Sequence, residues 1–274
     1  MAAKIIGIVL VQNEDIFIKQ VLTNIIDFCD EIKVLDNNSI DETSSIVGEC
    51  VKKWDKIKIY HLSNIKKSHR FVEKYAGTDS WVFGVDGDEL YDPKGLSLLR
   101  DGIKLSTYEN VWRIRGMFLH VVRFDESKRI AEGYLGPPSK DPNKLWNFKM
   151  LKSWKSDDVQ AFSHCQTRKF WKKNKLKVVC LFGRKGRFSS NKYISKLEGK
   201  HSFKSLNWEN CFLRCLHMRM LRRSSLERKD KKLYKRLNMT DKINEPRKKE
   251  NSRDKYRVGK CTKKDVSNFF YKEK

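Results

Sequence analysis

Hydrophobic and polar residues alternate along the first hundred positions with two different periods. Short, mostly aliphatic runs at 4–11 (KIIGIVLV), 31–35 (EIKVL), 56–62 (KIKIYHL) and 80–85 (SWVFGV) have the length and composition of strands. Between them, at 15–29, 41–53 and 66–76, apolar residues recur every three or four positions, the spacing of amphipathic helices. In the first of these, Ile18, Val21, Leu22, Ile25 and Ile26 fall on one face. Asp41, followed by Thr43, Ser44 and Ser45, supplies capping groups for the second. Strands separated by single helices at a repeat of about 25 residues require right-handed crossovers. The expected class is therefore α/β, a Rossmann-like, mostly parallel sheet flanked by helices.

The second half reads differently. One more helix is expected from Asp92-Pro93 to about residue 104, and 111–123 (VWRIRGMFLHVVR) reads as one strand turning into another. From 127 to 177 the pattern weakens, and Gly133, Gly136, Pro137, Pro138 and Pro142 predict long loops over a cleft. A helix is expected over about 206–228, with Leu206, Cys211, Leu213, Cys215, Leu216, Met220 and Leu221 as its apolar positions. Beyond it, 229–264 is basic and poor in large apolar residues. It reads as a loosely attached tail ending in an apolar patch at Phe269-Phe270-Tyr271.

Charge adds a partner class. The 274 residues carry a formal net charge of +25, and 201–274 alone holds 23 Lys or Arg against 9 Asp or Glu. Such a surface attracts nucleic acid, anionic lipid or phosphorylated substrates, or else consists of solvated basic faces. No zinc-finger spacing, RNP1-like segment or basic zipper accompanies it, so no specific nucleic acid is expected. The basic tail also suits peripheral contact with an anionic membrane. Seven cysteines without a C-x-x-C pair point to reduced thiols and a cytoplasmic setting. The apolar run 5–11 is short for a leader and ends in Gln12-Asn13-Glu14. No stretch reaches the roughly 18 apolar residues of a membrane span.

Ligands of a parallel α/β sheet sit beyond the carboxyl ends of its strands. Three polar clusters occupy such ends: Gln12-Asn13-Glu14, Asp36-Asn37-Asn38-Ser39 and Asp86-Gly87-Asp88-Glu89. In WVFGVDGDEL, residues i and i+2 of an extended segment point the same way, so Asp86 and Asp88 reach one cation together. Carboxylate oxygens suit Mg²⁺ or Mn²⁺ bridged to substrate phosphates. An acidic turn after a strand is the plainer alternative, since D-G is a common turn dipeptide.

The run IIGIVLVQNEDIFIKQVLTNIIDFCDEIKVLDNNSIDETSSIV, followed by WVFGVDGDEL, resembles the family 2 glycosyltransferases of GT-A fold. That family shows an apolar strand with an N-E pair, then D-(D/N)-x-S-x-D-x-T, matched here by residues 36–43, and later a D-x-D. The resemblance covers roughly residues 4–105. It implies a metal-dependent, inverting transfer of a sugar from a UDP- or GDP-sugar to a glycan, lipid-linked or protein acceptor. Residues 1–105 would bind the donor and 106–228 the acceptor, leaving 229–274 as the basic tail.

Carried over by residue, the resemblance implies that Asn13 and Glu14 line the nucleoside pocket and that Asp36 holds base or ribose with Asn38 nearby. Asp86 would face ribose and cation, and Asp88 would bind the cation (Mn²⁺ or Mg²⁺). His217 would complete the metal shell, a buried core histidine being the competing reading. The inverting general base has no unambiguous match. Asp157 and Asp158 are the first candidates and Glu132 the second. Arg219, Arg222 and Arg223 are candidates for cradling diphosphate or lipid phosphate. Trp112, Trp146, Phe148, Trp154 and Trp171 are candidate sugar platforms or ordinary packing. A nucleotidyltransferase would add a glycine-rich loop near the start, where residues 1–30 contain only Gly7. A basic anion-binding protein without catalysis is the remaining alternative.

Overall fold

The computed structural model of the chain describes residues 3–109, 111–136, 143–153, 166–167, 177–182, 186–190, 208–226 and 260–270. The first half runs β1 (Lys4–Val11), α1 (Ile18–Ile25), β2 (Glu31–Asp36), α2 (Thr43–Lys53), β3 (Ile57–His61), β4 (Ser80–Asp86), β5 (Glu89–Tyr91) and α3 (Pro93–Lys104). The second half contributes β6 (Val111–Arg115), β7 (Met117–Asp125), β8 (Ile130–Gly136), β9 (Asn143–Asn147), β10 (Leu151–Ser153) and β11 (Gln166–Thr167). It continues with β12 (Lys177–Phe182), β13 (Gly186–Ser190), β14 (Arg214–His217) and β15 (Cys261–Asp265).

Eight strands form the large sheet in the order β13-β12-β6-β9-β4-β1-β2-β3. Its β4-β1-β2-β3 portion is wholly parallel, and β9 enters antiparallel between β4 and β6. Central strands buried on both faces need apolar residues at every position. β1 obeys, sending Ile5, Val9 and Val11 into the larger core and Ile6 and Ile8 into a smaller one on the opposite face. The predicted stripe Ile18, Val21, Leu22, Ile25 and Ile26 is buried on the larger side. Asp92 caps α3, accepting from Lys94 N at 3.2 Å, with Pro93 preset for the first turn. A second sheet, ordered β15-β8-β7-β14-β5, packs into the same core. The mixed α/β, GT-A-type architecture expected from the chain is the one observed.

Several expectations need correction. The described part of 206–228, residues 208–226, is not a helix. Within the described part, Trp208–Asn210 and Met218–Met220 are short 3₁₀ turns flanking the extended β14. Cys211, Leu213, Cys215, Met218 and Met220 are all buried, and the first three alternate with period two, the signature of a strand. The helix expected at 66–76 is a pair of 3₁₀ turns, Ile65–Phe71 and Glu73–Tyr75, whose amides reach back three residues, as Val72 N does to His69 O at 3.1 Å. Much of the expected loop over 127–177 is strand among the described residues. Glu132 accordingly lies in β8, opposite Lys263. Of the expected tail, 229–259 lie outside the described residues, while 260–270 are firmly attached. β15 pairs with β8, and Phe269 is buried, stacking on Trp208 at 5.8 Å. Among the described residues no helix is long and apolar enough to cross a membrane.

Candidate functional site at the carboxyl edge of the large sheet

Parallel pairing aligns the strand ends. Val11 registers with Asp36, and Leu10 with Asp86, so the three polar clusters emerge at one edge of the sheet. The first two clusters lock together through their backbones. Asn13 and Asn38 both adopt φ of 56°, a left-handed conformation that asparagine tolerates. Asn13 N donates to Ser39 Oγ at 3.0 Å, Ile40 N to Asn13 Oδ1 at 2.8 Å, and Glu14 N to Thr43 Oγ1 at 2.8 Å. Asp36 is buried, its Oδ1 accepting from Ser39 N at 2.9 Å and its Oδ2 from the Ser44 hydroxyl. Asp36 and Asn13 thus build the loop that frames the site. The side chain beside the opening is that of Asn37, while Asn38 is exposed away from it.

A cavity of about 310 Å³ opens here, lined by Glu14, Asp86, Asp88, His217, Arg219 and Arg223 among others. Gly87 allows the turn to pack tightly, because a Cβ there would lie 2.9 Å from Glu14 Cγ and from Val11 Cγ1. Asp86 presents a side chain 48% exposed to this cavity, with Lys144 Nζ 3.3 Å from its Oδ2. Lys144 also reaches Glu89 Oε1 at 2.8 Å, and Glu89 Oε2 accepts from Asp86 N at 3.0 Å and Tyr91 OH at 2.9 Å. Asp88 divides its oxygens: Oδ2 lies 3.2 Å from Arg223 Nη1, and Oδ1 faces His217 Nε2 at 3.7 Å. Arg223 Nη1 also pairs with Glu14 Oε1 at 2.6 Å. His217 Nδ1 meets His120 Nδ1 at 2.9 Å.

These contacts set the protonation states. Burial, then the Asp88 charge, pushes the Glu14 carboxyl well above its ordinary range against the pull of Arg223. Burial raises Asp88 similarly. For Asp86 burial acts in the same sense, but the Lys144 ammonium outweighs it and holds the carboxyl low. Burial pushes Glu89 up to about 8 against the opposing Lys144 charge. Burial would strip the proton from Lys144, yet Asp86 and Glu89 hold it there. Burial also lowers His217 and His120 to about 3, so both rings are neutral near pH 7.

The donor chemistry suits a hard or borderline divalent cation: two carboxylates and a neutral imidazole face one cavity. Glu14 Oε2 is buried there without a hydrogen-bond partner. Among the described residues no three His, Cys, Asp or Glu are grouped so as to hold a metal ion by themselves. Cations of this kind take one or two carboxylates and complete their shell with substrate phosphates.

The sequence pattern of glycosyl transferase family 2 matches residues 8–170, which is 163 of the 274 residues. The chain belongs to this family. Solved structures similar to it include a complex of glucosyl-3-phosphoglycerate synthase from Mycobacterium tuberculosis with Mn²⁺, UDP and glucosyl-3-phosphoglycerate. That match has 18% identity, covers 42% of this chain and 44% of that one, and has a TM-score of 0.33. Mannosyltransferase PcManGT from Pyrobaculum calidifontis, in complex with GDP-Man and Mn²⁺, matches at 22% identity over 45% of this chain and 36% of that one, with a TM-score of 0.32. The chain thus spans less than half the length of either. No curated protein matches it in sequence.

Of the anticipated family residues, Glu14, Asp86, Asp88 and His217 meet at the cavity together with Arg219 and Arg223. Arg222 turns aside to the carbonyls of Ser224 and Ser225. Glu132 is drawn to Arg123, 3.9 Å away, in the second sheet. Trp146 and Phe148 are core residues of the smaller cluster, so packing, not sugar stacking, explains them. Asp157, Asp158, Trp154 and Trp171 lie outside the described residues, as does the Trp112 side chain. Sequence reasoning missed Lys144 and His120. His120 stands between Leu119 and Val121 and Lys144 beside Leu145, and a buried polar group inside such a strand announces a partner only once its place in the sheet is known.

Proposed function

We propose that the chain transfers a sugar from a UDP- or GDP-sugar to a carbohydrate, lipid-linked or protein acceptor, with inversion and with the help of Mn²⁺ or Mg²⁺. The observation that carries this reading is the convergence of Asp86, Asp88 and His217 on one cavity, at the edge where the β1 and β2 loops frame its opening. Asp86, Asp88 and His217 would hold the cation, which neutralises the departing nucleoside diphosphate when bound. Asn37 and Gln12 line the side toward β2, suited to the nucleoside. Arg219, with Arg223, offers positive charge to the diphosphate oxygens. Asp157 or Asp158 is proposed to take the acceptor proton. The basic segment after residue 228 is proposed to contact an anionic membrane surface.

The test is thermal stabilisation of the full chain by UDP, GDP, CMP and dTDP, with and without Mn²⁺, repeated on Asp88→Ala. A ligand at about 100 times its dissociation constant adds roughly 2.7 kcal/mol. Stabilisation by one diphosphate, requiring metal and lost in the variant, supports the transferase. No metal-linked shift with any nucleotide removes the cation site.

A further inference from the structure

His120 lies outside every motif, and its ring stands behind His217 on the side away from the cavity mouth carboxylates. β7 and β14 pair in parallel with His120 and His217 in register, so the two rings face each other across neighbouring strands of the second sheet. Both residues are buried, at 4% and 5% exposure. Phe118 contacts both edge-on, its centroid 6.1 Å from His120 and 5.8 Å from His217, which limits how either ring turns.

The Nδ1···Nδ1 separation of 2.9 Å accommodates one hydrogen, so one nitrogen donates and the other accepts. The far nitrogen of His217, Nε2, looks toward Asp88 Oδ1 at 3.7 Å and belongs to the cavity wall. A nitrogen that ligates a cation must offer a lone pair, which leaves the ring hydrogen of His217 on Nδ1. The atom placed to receive it is His120 Nδ1. We propose that His120 is a positioning residue: as acceptor for His217 Nδ1–H, it fixes the tautomer and ring angle that aim the Nε2 lone pair at the cation. Asp86 and Asp88 are treated alike, each giving one oxygen to a cationic side chain (Lys144 and Arg223) and keeping the other for the site. This inference rests on the cation reading above.

The experiment uses the full chain as wild type, His120→Phe, His120→Asn and Asp88→Ala. Mn²⁺ binding is followed by electron paramagnetic resonance, alone and with UDP or GDP. The imidazole hydrogens of metal-free wild type are located by long-range ¹⁵N–¹H correlation. The expected result is a His217 hydrogen on Nδ1, with Mn²⁺ affinity weakened by about 10- to 100-fold in His120→Phe. His120→Asn, whose amide oxygen can accept the same hydrogen, restores most of the affinity. Unchanged affinity in His120→Phe, with binding lost in Asp88→Ala, overturns the role of His120 and leaves the cation site standing. Mn²⁺ binding indifferent to Asp88→Ala overturns both. A hydrogen found on His217 Nε2 in the wild type overturns the proposal even if His120→Phe fails to fold.

Discussion

The two halves of the chain contribute to one cavity in opposite ways. Residues 4–105 bring acids from contiguous strand-end motifs: Glu14, Asp86, Asp88 and Glu89. Residues after 110 bring the groups that balance and orient them, one at a time and from far along the chain. Lys144 arrives 58 residues from Asp86, His217 sits 97 from His120, and Arg223 lies 209 from Glu14. Local sequence thus supplies the acids, while tertiary structure supplies the groups that set their charge state.

The largest expected effect separates ligand from scaffold. Asp88→Ala should leave the folded core in place and reduce sugar transfer by about three orders of magnitude, near 4 kcal/mol of barrier. Initial rates of nucleoside-diphosphate release measure it. A fall of only a few fold would mean that the acidic half does not carry the chemistry.

Next in size is Lys144→Met, which attacks the balancing half. Lys144 pairs with Glu89, whose side chain is fully buried, and removing one partner of a buried pair leaves the other uncompensated. A loss of about 3 kcal/mol is expected by urea denaturation, with part of it recovered in Lys144→Met/Glu89→Gln, where only Asp86 is left without the ammonium. If the double variant is as unstable as the single one, packing and not charge is what Lys144 provides.

This asymmetry also explains what could be read in advance. The parallel sheet, the α1 face and the Asp86-Gly87-Asp88 turn were legible because each depends on a contiguous period or strand end. The helix expected at 206–228 failed because Leu213, Leu216 and Met220 fall at helical spacing while Cys211, Leu213 and Cys215 alternate as in a strand, and pairing of β14 with β5 and β7 decides between them. Lys144 gave no signal at all. A lysine beside Leu145 and Trp146 reads as an ordinary alternation until β9 is seen between β4 and β6. The terminal strand was hidden for a related reason: CTKKD lies at an edge, partly exposed, where charge is expected.

A control confined to the first half sharpens the contrast. Asp30 accepts from Ile5 N at 2.8 Å and pairs with Arg100 at 2.6 Å and Lys104 at 3.0 Å, tying β1 to α3. Partial burial acts to raise its pKa, but the Ile5 amide and the two cations outweigh it and hold the carboxyl below its usual range. On acidification the unfolded chain therefore takes up the proton first. The contribution is present above about pH 4 and is lost as pH falls through the lower, folded value. Asp30→Asn should cost about 2 kcal/mol at pH 7, and its gap from the wild type should close as the pH drops below 4. Mn²⁺ affinity should not change, since none of these groups lines the cavity.

The smallest effect tests how the second half is fastened over the first. After Met218–Met220 the chain crosses the β1 loop: Ile16 N donates to Arg223 O at 3.2 Å, and Ser225 N to Asp15 Oδ1 at 2.8 Å. Ser224 Oγ donates to Asp41 Oδ2 at 2.6 Å, joining this crossing to the acid of the 36–43 motif. Asp41 keeps its bond from Thr43 N at 3.0 Å in any case, so Ser224→Ala removes the Ser224–Asp41 bond and the longer one that Ser224 Oγ accepts from Leu226 N at 3.3 Å, and strands no charge. About 1 kcal/mol is expected, a melting shift of roughly 2–4 °C for a chain of this size. The local readout is amide exchange at Ile16, whose acceptor is the Arg223 carbonyl. Faster exchange there, with the core strands unaffected, would show that Ser224 helps to hold Arg223 over Asp88. Equal exchange in both proteins would assign that task to Arg222, which already bridges the carbonyls of Ser224 and Ser225 at 2.8 and 2.7 Å.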